Sequence, residues 1–265
     1  MVRGAESTTR PTGLRFSDGV RLALTTLTIA RLRGGRVDRD TARVAMSLAP
    51  AVGLLLGGVV AAIALGLRGL GATPLVAAVA VVAACAVLTR GLHLDGLADT
   101  ADGLGAYADR EKALEIMRRP DIGPFGVVTL VLVLLAQVAA ASAVLVRPSG
   151  TAAVGIIAAI AAGRVGIALA CRRRVPPARP DGMGAVVAGT VAPLTCALWT
   201  LALLAFSVLA VPDRPWQGPL AVALGIGAGL LLVWHAVRRL GGVTGDVLGA
   251  TTEISVTATF IVISM

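Results

Sequence analysis

The chain has 265 residues, of which 56% are hydrophobic and only 15% charged, with 32 glycines and a mean hydropathy of +0.85. This composition excludes a soluble domain with a large core and describes a polytopic membrane protein. The net charge of +9 comes almost wholly from arginine, Lys112 being the only lysine, while Cys85, Cys171 and Cys196 sit in or beside apolar runs as packing residues without ligand spacing.

Residues 1–15 scatter Arg3, Arg10 and Arg15 among polar residues and lack the compact apolar core and cleavage site of a secretory signal. They are expected to form a disordered cytoplasmic tail. The run 17–33 interleaves leucine and isoleucine with threonine and arginine, and Ser17 or Asp18 could cap it. It is short and charged at both ends, which favours an amphipathic interfacial helix on the inner leaflet over an eighth span.

Crossing the hydrocarbon takes about 20 apolar residues. Seven segments meet or approach that length: 44–67, 73–94, 122–146, 151–171, 185–211, 217–237 and 247–264. The last is unusually polar, with Thr251, Thr252, Glu253, Ser255, Thr257 and Thr259, as expected of a helix lining an occupied cleft or of a partly exposed terminal helix. Neither repeats nor low-complexity linkers divide the chain. Residues 1–265 are therefore expected to be one all-α integral membrane domain, a bundle of about seven transmembrane helices.

Basic residues alternate strictly between the connections. Segments 31–43, 95–121, 172–184 and 238–246 each carry two or more, whereas the loops between them carry one each: Arg68, Arg147 and Arg214. By the positive-inside rule the first set is cytoplasmic, with the N-terminus inside and the C-terminus outside.

The chemistry concentrates in those cytoplasmic connections. In Gly91–Gly105, GLHLDGLADTADGLG, the carboxylates of Asp95, Asp99 and Asp102 fall within about a 60° arc of a helix. No basic neighbour is spaced to neutralise them, and one or two hard cations such as Mg²⁺ would relieve their repulsion. Asp109, Glu111 and Glu115 alternate with Arg110, Lys112, Arg118 and Arg119, as on an ordinary salt-bridged surface helix. A second acidic pair, Asp246 and Glu253, lies seven residues apart after Gly241, Gly242 and Gly245, whose backbone N–H groups could meet phosphate oxygens. Arg164 is enclosed by apolar residues inside a span, where a carboxylate or phosphate partner is expected. His93 could accept a proton or bind phosphate. Metal-bridged carboxylates with arginines suit phosphoryl transfer, while P-loop and Rossmann signatures are missing.

These residues resemble a family. The run GLHLDGLADTADGLG, then ALEIM with Arg118, then Ile122-Gly123 and Phe125-Gly126, and finally GGVTGDVLGATTE, are similar to the cobalamin synthases, the adenosylcobinamide-GDP ribazoletransferases. The resemblance implies a bacterial inner-membrane, Mg²⁺-dependent enzyme with its active site facing the cytoplasm. It would join adenosylcobinamide-GDP to α-ribazole or its 5′-phosphate through the ribazole 5′-hydroxyl, releasing GMP in a late step of cobalamin synthesis. It also implies metal ligation by Asp95, Asp99, Asp102, Asp246 and Glu253, anion contacts from Arg110, Arg118, Arg164 and Arg179, and a base among His93 and the carboxylates, Asp102 included. Arg119-Pro120 depart from the polar pair expected after EIM and a basic residue. The partners implied are these two small molecules and membrane lipid, with no nucleic acid; pairing with a second copy stays open, since small residues serve either contact. A CDP-alcohol-type phosphotransferase is the alternative that shares arrayed aspartates, but its D-x₂-D-G-x₂-A-R pattern is missing. A cation- or proton-coupled transporter would place its acids nearer the midplane.

Overall fold

The computed structural model describes residues 12–32 and 35–265. The tail expected at 1–15 lies mostly outside them, and helix α1 (Thr12–Leu27) already begins within its last residues. Ten further helices follow: α2 (Arg39–Gly69), α3 (Pro74–Leu88), α4 (Leu92–Gly105), α5 (Arg110–Ile116), α6 (Pro124–Val144), α7 (Ser149–Ala170), α8 (Gly182–Val187), α9 (Pro193–Ser207), α10 (Gln217–Leu240) and α11 (Gly245–Ser264). Helices α2, α6, α7, α10 and α11, together with α9 and its 3₁₀ extension to Ala210, are long and apolar enough to cross a membrane. A seventh crossing is reached if α3 and α4 form one broken span.

Two of the expected spans are not continuous. Segment 73–94 ends at Leu88 and turns by 89° into α4, because Arg90 (φ +57°) and Gly91 (φ +67°) are both left-handed and end the α3 ladder. The bend is tied to α1: Arg90 Nη2 donates to Thr25 O at 2.8 Å and Ile29 N to Leu88 O at 2.6 Å. Segment 185–211 begins in the short α8, breaks at Gly189 (φ +72°) and resumes only at Pro193, which can start a helix but not continue one.

Helix α2 starts with a capping box in which Asp38 Oδ1 accepts from Thr41 N (2.9 Å) and Asp40 N (3.1 Å), while Asp38 N donates to Thr41 Oγ1 (3.2 Å). Gly53 and Gly57, one turn apart, let α2 approach α7 closely; a Cβ at Gly57 would stand 2.8 Å from the Ile157 Cα. Helices α7 and α11 form the centre of the bundle. The polarity of α11 has a packing explanation rather than a cleft: Thr251, Thr252 and Thr259 are buried, and their hydroxyls donate to Val247, Leu248 and Ser255 carbonyls at 2.7, 3.0 and 2.7 Å. Glycines 163 and 166 of α7, and 225 and 229 of α10, face these side chains, so small residues admit the helix on both sides.

The basic connections meet at one end of the bundle. Arg39 donates to Ala185 O and Ala188 O at 2.8 Å each, Arg110 to Ala178 O at 3.0 Å, and Arg239 to Ala108 O at 3.1 Å. Two of the three loops with single arginines meet the end of α11 at the other, where Arg147 donates to Ile263 O at 2.6 Å and Arg214 to Met265 O at 3.1 Å.

Candidate active site

Helix α4 lies against the first turns of α11 because glycines remove the side chains that would separate them. A Cβ at Gly96 would stand 2.7 Å from the Asp246 carbonyl oxygen, and one at Gly249 would stand 3.1 Å from the His93 Cα. This contact brings the half-buried Asp246 beside the acidic stripe. Asp99 feels the charges of Asp95, Asp102, Asp246 and Arg179, and Asp246 feels those of Asp95 and Arg179.

The five carboxylates of the expected metal set do not all converge. Asp102 faces away toward α6, where Oδ2 accepts from Gly123 N at 2.7 Å and Oδ1 from Gly126 N at 2.9 Å. It is a buried helix cap, with 7% of its surface exposed. Glu253 sits two turns along α11 from Asp246, about 10 Å along the helix axis. There its Oε2 accepts from Gln137 Nε2 at 2.8 Å, and the same amide reaches Thr257 Oγ1 at 3.0 Å. Among the described residues, no group of three or more His, Cys, Asp or Glu side chains is close enough to hold one ion. Asp95, Asp99 and Asp246 keep carboxylates that no backbone N–H or span amide occupies, with Asp99 between Asp95 and Asp246 on one side and Asp102, whose cavity of about 280 Å³ it shares, on the other.

The arginines also divide. Arg179 reaches the site: its Nη2 lies 3.9 Å from Asp246 Oδ2, and its buried Nε and Nη2 have no hydrogen-bond partner. Burial pushes its guanidinium below the usual arginine range, and Asp246 acts against that shift. Arg118 instead pairs with Asp181 through contacts of 2.8 and 2.9 Å, at the rim. Arg110 is tied to the Ala178 carbonyl and packs over Gly241. Gly241 is the left-handed cap of α10 (φ +79°), and Gly242 is pressed on the Pro176–Ala178 backbone, so neither forms an open anion cradle. Gly245 begins α11 and remains accessible, with Thr244 capping the helix and donating to Asp246 Oδ2 at 3.1 Å.

Arg164 is 2% exposed, and its Nη2 meets the buried His93 Nδ1 at 3.4 Å. A guanidinium offers only donors, so Nδ1 is the acceptor and is not available to take a proton from a substrate. That removes His93 as the base through Nδ1. Arg164 acts behind the site, against His93, and also feels the charge of Glu253.

Sequence reasoning missed several residues at this end: Gln137 on Glu253, Thr244 on Asp246, and Arg36, Arg90 and Met183, which line a cavity of about 510 Å³ together with His93, Asp95 and Asp246. A glutamine in an apolar span was the one available signal, being costly there without a partner.

The architecture and site define a class: a polytopic helical membrane protein carrying an acidic, arginine-flanked pocket at the end of the bundle where its basic connections gather. Residues 19–264 match the family model described as cobalamin-5-phosphate synthase, and the chain belongs to that family. It is 44% identical over 262 residues to the adenosylcobinamide-GDP ribazoletransferase of Frankia casuarinae, an alignment covering 92% of this chain and 94% of that one. Proteins of the same name from Nocardioides sp. and Corynebacterium efficiens are 40% and 39% identical, covering 92% of this chain and 97% and 90% of theirs. No solved structure matches the chain.

Proposed function

We propose that this protein transfers the adenosylcobinamide-phosphate group of adenosylcobinamide-GDP to α-ribazole or its 5′-phosphate, giving adenosylcobalamin or its 5′-phosphate and GMP, in the last step of cobalamin assembly. The observation that carries the reading is the full-length similarity to ribazoletransferases, joined to the packing of Asp95 and Asp99 against Asp246 and Arg179.

One ribose oxygen–phosphorus bond forms, and the bond from that phosphorus to the oxygen bridging to GMP breaks. An acceptor that already carries a 5′-phosphate has no free 5′-hydroxyl. A single site serves both acceptors only through a hydroxyl on the ribose ring, which replaces the 5′-hydroxyl expected from sequence. With His93 Nδ1 committed to Arg164, the proton of that hydroxyl passes to a carboxylate of the Asp95, Asp99 and Asp246 group. Arg179, whose Nε and Nη2 have no hydrogen-bond partner, neutralises diphosphate charge.

Mg²⁺ fits the reduced donor set. It is commonly held by one or two carboxylates plus substrate phosphates rather than by an all-protein cage. Asp246 with Asp95 or Asp99, two carboxylates rather than three, would supply the hard oxygens, and Asp102, with both oxygens bonded to backbone N–H groups, is left out of the set. Bound there, the ion would supply charge neutralisation at the diphosphate. The bacterial inner membrane, a cytoplasmic N-terminus and a cytoplasm-facing site belong to the same proposal, supported by the gathering of the arginine-rich connections at the site's end of the bundle.

The test is turnover by membranes bearing the protein, supplied with adenosylcobinamide-GDP and α-ribazole, with and without Mg²⁺. Corrinoid product and GMP in equal amounts are expected. A folded wild type that forms neither, beside active control membranes, overturns the assignment.

A further inference from the structure

Two cavities meet at Asp246, and their linings differ in kind. The larger, about 510 Å³, lies among α1, α2, α4, α7, α8 and α11; Leu22, Leu27, Met46 and Ile167 give it an aliphatic wall, and Arg36, Arg90, Asp95 and Asp246 are among its polar lining. The smaller, about 230 Å³, is lined by Arg179, Asp181, Thr244, Gly245 and Asp246. Only the smaller contains Arg179, whose buried N–H groups lack partners.

We propose that the larger cavity is the acceptor subsite, holding a nucleoside with an apolar aromatic base against the aliphatic wall and its ribose at Asp95 and Asp246, while the donor's diphosphate reaches Asp246 from the Arg179 side. This rests on the transferase reading above and adds where each substrate sits.

Three physical arguments select the occupant. Size is the first: pockets for drug-sized molecules run from about 300 to 1,000 Å³, so the larger cavity admits a nucleoside but not a corrinoid macrocycle with its side chains and adenosyl group. Polarity is the second. A guanine buried against Leu22, Leu27, Met46 and Ile167 would leave several donors and acceptors unpaired, whereas a benzimidazole nucleoside has a single ring-nitrogen acceptor to satisfy. Charge is the third: in the larger cavity Asp95 and Asp246 can accept hydrogen bonds from ribose hydroxyls and Arg36 and Arg90 can meet the 5′-phosphate of a phosphorylated acceptor, while Arg179 stands on the other side of Asp246 for the diphosphate. Asp246 borders both cavities, so the hydroxyl and the phosphorus it must attack meet at one residue.

Thr26 lines the larger cavity from α1 and is only half-buried, so a larger side chain there fills the cavity at little cost to the helix. In the purified protein with Mg²⁺, Thr26→Trp is expected to raise KM for α-ribazole about tenfold while moving KM for adenosylcobinamide-GDP by less than about twofold, and Arg179→Gln to do the opposite. Leu22→Trp narrows the same wall and serves if Thr26→Trp does not elute as the wild type does on size exclusion in detergent. A direct arm measures α-ribazole binding by the wild type and the tryptophan variants without turnover, with binding lost in the variants. Tryptophan variants that weaken the donor instead, or neither substrate, overturn the subsite while leaving the transferase intact. A wild type that binds α-ribazole in this cavity yet makes no corrinoid product overturns the transferase reading and leaves the subsite standing. A wild type that does neither overturns both.

Discussion

Asp102 Oδ1 accepts the backbone N–H of Gly126 at 2.9 Å, while its other oxygen takes that of Gly123, so the third aspartate of the acidic stripe caps α6 across 21 and 24 residues of sequence. A side chain at either glycine would run into the carboxylate. Asp102→Asn would turn one oxygen into an amide that cannot accept, leaving a buried N–H unpaired at a cost of about 1–3 kcal/mol. The expected result is a lower melting temperature in detergent and activity that falls in step with the folded fraction. A variant that melts as wild type but has lost all turnover would return Asp102 to the chemistry.

Asp99 and Asp246 should behave in the opposite way. Both are half-buried in the site, and neither carboxylate caps a neighbouring helix. Asp99→Asn and Asp246→Asn should each lower kcat by about 10²-fold or more, the scale for removing one electrostatic element of a transfer site, with little change in melting temperature. Chelation with EDTA should abolish product in the wild type and excess Mg²⁺ restore it. Turnover that persists in EDTA would exclude the metal.

The spans were legible because about 20 consecutive apolar residues leave few alternatives. The 89° bend was not, since Thr89-Arg90-Gly91 reads as the polar end of a span and only the left-handed backbone shows that the chain turns there. Pro193 did carry a usable signal, being a helix starter in the middle of segment 185–211. The spacing on α4 put three aspartates on one face, but spacing within a helix says nothing of partners 21 and 24 residues away, and so Asp102 read as a third ligand. Likewise Arg118 is matched by Asp181, 63 residues distant, and the joining of Asp246 with Asp95 and Asp99 was reached from sequence only through resemblance to a family.

The α2–α7 contact offers a packing test. Gly57 faces Ile157 with its Cα 2.8 Å from where a Cβ would stand, whereas at the adjacent Gly58 a Cβ would meet nothing within 4 Å. Gly57→Val should therefore force the helices apart at a cost of about 1–3 kcal/mol, read as a lower melting temperature in detergent. Gly58→Ala should be neutral or slightly stabilising, because alanine is the better helix former. Equal effects at the two positions would mean that α2 does not meet α7 through this face.

The start of α2 carries the pH dependence. Hydrogen bonds from the Thr41 side chain and backbone hold the Asp38 carboxyl below the usual aspartate range, helped by the nearby Arg36. A depressed folded-state value means that the unfolded chain binds the proton more readily. The cap therefore contributes fully above the unfolded value of about 3.9, and its contribution is lost as the pH falls through the lower folded value. Asp38→Ala should cost about 1 kcal/mol at neutral pH, the usual worth of an N-cap. The difference in melting temperature between the two proteins should then shrink on acidification below about pH 4. A gap that stays constant from neutral to acid pH would show that the carboxylate charge plays no part in holding the helix that lines the acceptor cavity.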